Sequence, residues 1–321
     1  MFSTSTQKKE WTFSSQQDLF ELRKVANEKF RAKYGTVIDA DQKDIFLTPE
    51  EEALLRNIVT ETGIRFADDF HPAMWPSTCW TAFAYFKRFF LYHSTMEYSP
   101  KSVMMSCFYL AAKVDEFNIS IDEFIKNLKS GTAKSNSETI LSFEPQIMLK
   151  LRYQLTIHTP FRPFEGHLIE MKTRSLLGFD LEQVRPHAND FFKKALFGDV
   201  MLLYPPSQIA LAALKYGLQM LDKADDLLKD QFLNKMLEID TWKPQNDNVL
   251  ICEKLIARLD EIIQCVLDGC KPIVPEANEA LQSHMERWVN TFPELERRLS
   301  ALNANLQLEN CNSNAAFSDD D

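Results

Sequence analysis

Residues Tyr98–Phe117 read YSPKSVMMSCFYLAAKVDEF, and this stretch decides the fold. Ser99-Pro100 is a helix-start signal, with Ser as N-cap and Pro at the first helical position. Val103, Met104, Met105, Cys107, Phe108, Leu110, Ala111 and Ala112 then surround the helix on every side. A helix that is apolar all round belongs in a core. At roughly sixteen residues, broken by polar groups, it is too short to span a bilayer. At its C-terminal end the character changes abruptly to Lys113, Asp115 and Glu116. A cation in the last turn suits the helix dipole, so Lys113 has a structural reading beside a binding one.

Length and composition frame that helix. A chain of 321 residues suits about two domains. With 45% hydrophobic and 12% aromatic residues there is ample core. Only eight Gly are present, so positive-φ positions are expected to be few, and hairpin-rich sheet is disfavoured against helices. The net charge of −10 disfavours general affinity for DNA phosphates or acidic membranes. The six Cys include no CxxC, and no signal peptide or membrane-length apolar run is evident. They read as thiols of a reducing compartment, cytosol or nucleus.

Upstream of the central helix, TAFAYFKRFFLY (81–92) predicts an aromatic-rich helix ending before His93-Ser94. Thr48-Pro49 with Glu50, Glu51 and Glu52 starts another, carrying Leu54, Leu55, Ile58 and Phe66. Ser15 and Asp18 have capping-box spacing, and Leu19, Leu22, Ala26 and Phe30 form one stripe. That predicts an amphipathic helix over Ser15–Arg31 that packs on its own domain or a partner. Residues 1–12 read as disordered, apart from Trp11. Downstream come a short helix near Ile121–Leu128, a polar loop Ser130–Ser137 and the helix TILSFEPQIMLKLRY (139–153). Thr159-Pro-Phe-Arg-Pro-Phe164 holds two Pro and reads as an interdomain linker.

An internal repeat lies beyond it. Tyr204-Pro205-Pro206-Ser207 resembles Tyr98-Ser99-Pro100-Lys101, 106 residues further on. At the same offset Phe191-Phe192-Lys193-Lys194 matches Tyr85-Phe86-Lys87-Arg88. Ile209, Leu211 and Ala213 fall on Val103, Met105 and Cys107, whereas Lys113 maps onto the uncharged Gln219. Two copies of one helical domain follow from this, and the charge belongs to the first alone. The second copy ends near Leu267, and Pro272 and Pro275 break the chain. A last amphipathic helix carries Leu281, Met285, Trp288, Val289 and Phe292 and ends before Pro293, with a further helical piece at Leu295–Leu306. The tail from Asn310 is polar and acidic and reads as disordered; Ser318-Asp-Asp-Asp321 could be a substrate for an acid-directed kinase.

Catalytic motifs are missing. No two Gly are closer than Gly166 and Gly178, which excludes GxxxxGK[ST], GxGxxG and GxSxG. The six His form no HxxxH or HxH, and none has a Cys at metal-ligand spacing. His158 and His167 flank the linker and read as polar boundary residues. Asp68-Asp69 and Asp225-Asp226 read as solvated helix faces. No enzyme, metal or cofactor reading has a positive feature.

Leu110-Ala-Ala-Lys113-Val-Asp-Glu-Phe117, the AYFKRFF helix and the duplicated helical domain resemble the cyclins. Trp11–Ser15, Met96–Pro100, Lys113–Asn118 and especially Thr159–Gly166 (TPFRPFEG) resemble one branch, whose members serve the kinase that activates cyclin-dependent kinases. The similarity covers about residues 8–220. It implies an all-α fold of two tandem five-helix boxes with flanking N- and C-terminal helices. The expected division is 1–50 (extension with the amphipathic helix), 51–158 (first box), 159–270 (second box), 271–307 (helical segment) and 308–321 (disordered acidic tail).

The resemblance also implies a nuclear, non-catalytic regulator without cofactor. Its implied partners are a cyclin-dependent kinase catalytic subunit, a RING-finger assembly factor and transcription factor IIH, with no direct nucleic acid or membrane contact. In the family one Lys and one Glu hold the backbone around the kinase's αC helix; here they are Lys113 and Glu144. Leu110, Val114, Met148, Tyr153 and Leu155 match the apolar surround. Pro145 directly follows Glu144, so the helix either kinks there or restarts with Glu144 near its N-cap. An alternative is a DNA-binding protein like general transcription factor IIB, which shares the doubled domain; the acidic charge and the absence of an N-terminal Zn ribbon count against it.

Overall fold

In the computed structural model, the described residues are 2–175, 177–223, 226–237, 239, 247–272 and 274–316. Among them there is no strand. Asp225, of the acidic pair, and residues 317–321, including Ser318, lie outside the described residues.

The N-terminal region holds α1 (Thr6–Glu10) and α2 (Gln16–Tyr34). The first box follows as α3 (Pro49–Asp68), α4 (Pro76–Phe89), α5 (Pro100–Val114), α6 (Ile121–Lys126) and α7 (Ala133–Lys150). Local chemistry sets the starts. Ser15/Asp18, Thr48/Glu51 and Ser120/Glu123 each close a reciprocal capping box, and Pro49, Pro76 and Pro100 occupy first-turn positions where a missing N–H costs nothing. α5 is the hub, packed by α3, α4 and α7. Val103, Cys107, Phe108, Ala111 and Ala112 are fully buried, as its all-round apolar pattern requires. α7 begins at Ala133, capped by Thr132, so the polar stretch 130–137 is mostly first turns of helix rather than loop. Polar Ser and Asn suit a helix's opening turns as well as a loop.

The second box comprises α8 (Phe161–Arg174), α9 (Val184–Lys194), the single turn α10 (Val200–Leu203), α11 (Pro206–Met220), α12 (Asp226–Leu228), α13 (Asn234–Met236) and α14 (Asp247–Gly269). A π-helical turn, Lys229–Leu233, joins α12 to α13. α11 starts and ends 106 residues after α5, also has Pro at its first turn, and is packed by α8, α9 and α14. The segment expected to be a linker is helix from Phe161 onward. Pro160 is its N-cap and Pro163 sits in the first turn, where proline is tolerated. Phe161 and Phe192 meet Trp80 of α4 edge-on at 6.0 and 6.4 Å, so aromatic rings tie the two boxes together.

The two hubs differ at one equivalent position. Ala111 of α5 is matched by Gly217 of α11, where a Cβ would lie 2.4 Å from Val184 Cγ1 and 3.1 Å from Val184 O. Gly217 thus lets α9 approach α11 more closely than an alanine permits. Gly217→Ala is expected to destabilise the chain by about 1–3 kcal/mol through overpacking. A urea melt showing no loss would remove this account of the second box.

α2 and α15 (Pro275–Ala316) pack together on α3. Phe30 and Tyr34 of α2, Leu54, Leu55 and Ile58 of α3, and Leu281, Trp288 and Leu295 of α15 form a second core. Phe30 and Trp288 meet with centroids 5.7 Å apart. His284 adds hydrogen-bond contacts from its ring nitrogens to Glu51 Oε1 (2.7 Å) and Ile45 O (3.0 Å). Val289 does not join the stripe; it is 59% exposed, and Leu295 takes the next inward position. Nor does Pro293 end the helix. The residue four back, whose carbonyl loses its donor, is the outward-facing Val289, a side where water can supply the missing bond. No Gly or Pro follows Pro293, and helix continues to Ala316, into the segment 308–321 expected to be disordered.

Residues 2–10 are also ordered. A 3-10 turn (Phe2–Thr4) and α1 lead to Trp11, which is 1% exposed. Gln7 clasps the backbone of His158: the His158 N–H donates to Gln7 Oε1 (2.7 Å) and the Gln7 amide donates to His158 O (3.5 Å). The segment is folded because Trp11 and its neighbours bury area, which low-complexity polarity alone does not reveal.

Candidate functional site: the paired ends of α5 and α7

Two helix C-termini lie side by side, and both close in the same way. After α5, Phe117 N–H donates to Ala112 O (2.8 Å) and Glu116 N–H to Lys113 O (3.3 Å). After α7, Tyr153 N–H donates to Met148 O (2.8 Å) and Arg152 N–H to Leu149 O (2.9 Å). These are Schellman closures, which need a left-handed residue just past the cap. Glycine usually supplies it. Here Glu116 (φ 58°), Arg152 (φ 53°) and Tyr153 (φ 56°) do, and Asp222 (φ 51°) does the same after α11. The scarcity of Gly therefore does not remove positive φ; it moves it onto residues that bear a small strain.

The closures aim Lys113 at α7. Its Nζ donates to both carboxylate oxygens of Glu144, at 2.8 and 2.9 Å, and lies 4.7 Å from the ring centre of Tyr109, one turn earlier in α5. The Lys113 side chain is 47% exposed and that of Glu144 12%. Pro145 does not displace Glu144, because α7 runs unbroken through it. As at Pro293, the residue four back, Leu141, faces outward (45% exposed). The restart of the helix at Glu144 is thus excluded. The site is a charged pair held in one geometry, with an ammonium offering further donors to solvent and a carboxylate with lone pairs to spare.

Apolar surface adjoins the pair. Val114 (38% exposed) follows Lys113 in the chain, Leu141 and Met148 lie one turn to either side of Glu144, and Tyr153 is 64% exposed. Leu155 is half-buried. Leu110, matched to the same surround, is 2% exposed and lies in the core beneath the site. Apolar side chains beside a preformed polar pair are a combination that protein–protein interfaces use.

The chain after α7 is fastened from below. Tyr85 O–H donates to Leu155 O (2.6 Å), and buried Arg88 donates to Gln154 O (3.1 Å). Burial pushes the Arg88 guanidinium down to about 9, and its charge lies 4.9 Å over the Trp11 ring. Trp11 Nε1 donates to Gln154 Oε1 (2.5 Å), and Arg152 pairs with Glu10 at 3.3 Å. Tyr109, Gln154 and the Trp11 segment are thus parts of the site that sequence reasoning did not single out. The signals were a lone Trp in a polar stretch and the Trp11–Ser15 motif, neither of which tied the segment to α7. Among the described residues, no cluster of three or more His, Cys, Asp or Glu could hold a metal, and no helix is long and apolar enough to cross a membrane.

The comparisons with known proteins agree with a duplicated helical domain. The family model of the cyclin N-terminal domain matches residues 41–156 and that of the cyclin C-terminal domain matches 159–268. The chain belongs to the cyclin family. Within it, the chain is similar to cyclin-H of Xenopus laevis, 38% identical over 217 residues that cover 67% of each chain. It is also similar to cyclin mcs2 of Schizosaccharomyces pombe, 30% identical over 227 residues, 66% of this chain and 68% of that one. Among solved structures, a yeast TFIIK (Kin28/Ccl1/Tfb3) complex contains a chain with a TM-score of 0.61 at 25% identity, covering 81% of this chain and 99% of its own. A chain of the CAK complex of Chaetomium thermophilum matches with a TM-score of 0.69 over 100% and 97% of the two chains; at 22% identity this speaks to the fold.

Proposed function

We propose that this chain is the regulatory, non-catalytic subunit of a kinase that activates cyclin-dependent kinases, and that it binds its kinase through the ends of α5 and α7. The observation that carries this is the bidentate Lys113–Glu144 pair, exposed on its Lys side and adjoined by Val114, Leu141, Met148 and Tyr153. An ammonium and a carboxylate so placed can hold a carbonyl and an amide of one partner segment with charge-assisted bonds on each side. The apolar surround excludes water and strengthens both. If that segment borders the kinase's αC helix, seating it lets the αC Glu reach the β3 Lys that orients ATP. The chain then acts as a ligand with higher affinity for the active kinase conformation.

The cyclin-H relatives and the TFIIK-type complex support this reading. They also support a RING-finger assembly factor, transcription factor IIH and a nuclear location as its setting. The IIB-like DNA-binding alternative is not favoured. The test is to add purified chain to a purified cyclin-dependent kinase and follow phosphorylation of an RNA polymerase II C-terminal-repeat peptide. A large rise in rate is expected, with no turnover by the chain alone. A rate unchanged by saturating chain, or promoter DNA binding with the steep salt slope of phosphate contacts, would replace this function with another.

A further inference from the structure

Between α2, α3, α4, the turn at 197–199 and α14 lies a cleft of about 990 Å3. None of its lining residues belongs to the Lys113–Glu144 site. Three cations converge on it: buried Arg56 from α3 and Lys87 from α4, and half-buried Arg23 from α2. Two carboxylates stand against them, half-buried Asp199 and buried Glu52, whose Oε2 faces Arg56. Asp199 takes both forks of Arg23 at 2.7 Å. Glu52 accepts from the Ser94 hydroxyl and from Thr95 N–H (3.1 Å).

Arg56 is left over. It is 8% exposed, its Nη1 has no hydrogen-bond partner, and its nearest carboxylate oxygen, on Glu52, is 3.8 Å away. Lys87 holds only a backbone carbonyl, Phe197 O at 3.1 Å. Burial and the nearby Arg23 charge push Arg56 down to about 9, and burial pushes Lys87 down to about 8. A buried cation whose counter-charge stands no closer than 3.8 Å is incompletely compensated, and three cations facing two carboxylates leave this wall with room for an anion. Asn57, Thr60 and Gln16 add neutral donors, and the Gln16 amide donates only to the thiol of Cys265 at 3.4 Å, a weak acceptor. Of the acids at the rim, Asp260 pairs with Lys215 (2.5 Å) and Asp268 with Lys271 (3.0 Å), and Glu261 stands beside Arg258 in the lining.

We propose that this cleft binds a phosphate oxyanion, free or carried as a phosphomonoester on a protein segment, with Arg56 and Lys87 as its cationic contacts. A guanidinium fork matches phosphate geometry, and several oxygens on one centre can use an arc of donors that a single carboxylate would leave unfilled. The chain's overall charge of −10 does not oppose this, since the field at a buried site is set by its nearest charges.

The test uses the full chain. Its thermal midpoint is expected to be about 3 °C higher in potassium phosphate than in potassium chloride of equal ionic strength. In Arg56→Gln that phosphate shift is lost, whatever the change of its midpoint in chloride, where Glu52 loses its cation. By calorimetric titration, Arg56→Gln weakens phosphate binding at least about tenfold, and Arg65→Gln, an exposed arginine of α3 outside the cleft, leaves it unaltered. A blocked phosphoserine peptide that binds more tightly than inorganic phosphate assigns the site to a phosphorylated segment; equal affinities assign it to free phosphate. Equal wild-type midpoints in phosphate and chloride overturn the proposal by themselves, whether or not the variant folds. So does a phosphate shift that survives in Arg56→Gln.

Discussion

Trp11→Ala is expected to cost about 3–5 kcal/mol of folding stability, the range for deleting a large buried aromatic. Trp11 is 1% exposed, and its ring lies under the Arg88 guanidinium and beside Tyr92 at 6.1 Å. Its indole N–H satisfies Gln154, whose own carbonyl is held by Arg88. Removing the ring leaves a cavity and a buried cation without its aromatic face. The effect is also expected to spread to function, because Gln154 lies between Tyr153 and Leu155 at the edge of the proposed kinase surface. Trp11→Phe should retain most of the packing and lose mainly the hydrogen bond, at about 1–3 kcal/mol. Urea melts with kinase-activation assays on both variants check this. A Trp11→Ala chain within 1 kcal/mol of wild type would return residues 2–12 to a loose tail.

The contrast between Trp11 and α5 shows what was legible in the sequence. α5 and α11 were readable because a Pro start and an all-round apolar pattern are local signals, and the repeat displayed each twice. The capping boxes at Ser15, Thr48 and Ser120 are equally local. Residues 2–12 were misread because their order comes from partners about 140 to 150 positions away, Gln154 and His158. Pro163, Pro145 and Pro293 were overweighted as breaks. One lies in a first turn, and the other two lie four residues after outward-facing side chains, so tertiary placement decided their cost.

The same division runs through the site. Lys113 and Glu144 came from the motif resemblance, and the structure places them in contact. Leu110 was matched to the apolar surround through the family resemblance, whereas the all-round apolar pattern of its helix already placed it in the core, where it is buried. The non-glycine Schellman closures that orient Lys113 and Tyr153 leave no sequence mark at all.

Lys113→Ala is the second large effect, and it falls on binding rather than folding. In the free chain Lys113 and Glu144 are a half-exposed ion pair, worth about 0–1 kcal/mol. The melting of the variant should therefore change little. On binding, the apolar surround would desolvate the pair, and truncating one member of a buried, hydrogen-bonded charge contact costs about 2–5 kcal/mol. At 1.4 kcal/mol per decade that is roughly 30-fold to several thousand-fold in affinity. Glu144→Ala should weaken binding comparably. Because the two side chains hold each other as well as the partner, the double variant should lose less than the two singles combined, by about 1 kcal/mol.

Calorimetric titration of the kinase catalytic subunit with the wild-type chain, Lys113→Ala and Gln219→Ala addresses the central claim most directly. Gln219 is the counterpart of Lys113 in the second box. If the ends of α5 and α7 bind the kinase, Lys113→Ala loses at least about 30-fold in affinity, while Gln219→Ala stays near wild type. Equal affinities for the two variants would leave Lys113 as no more than a cation at a helix end.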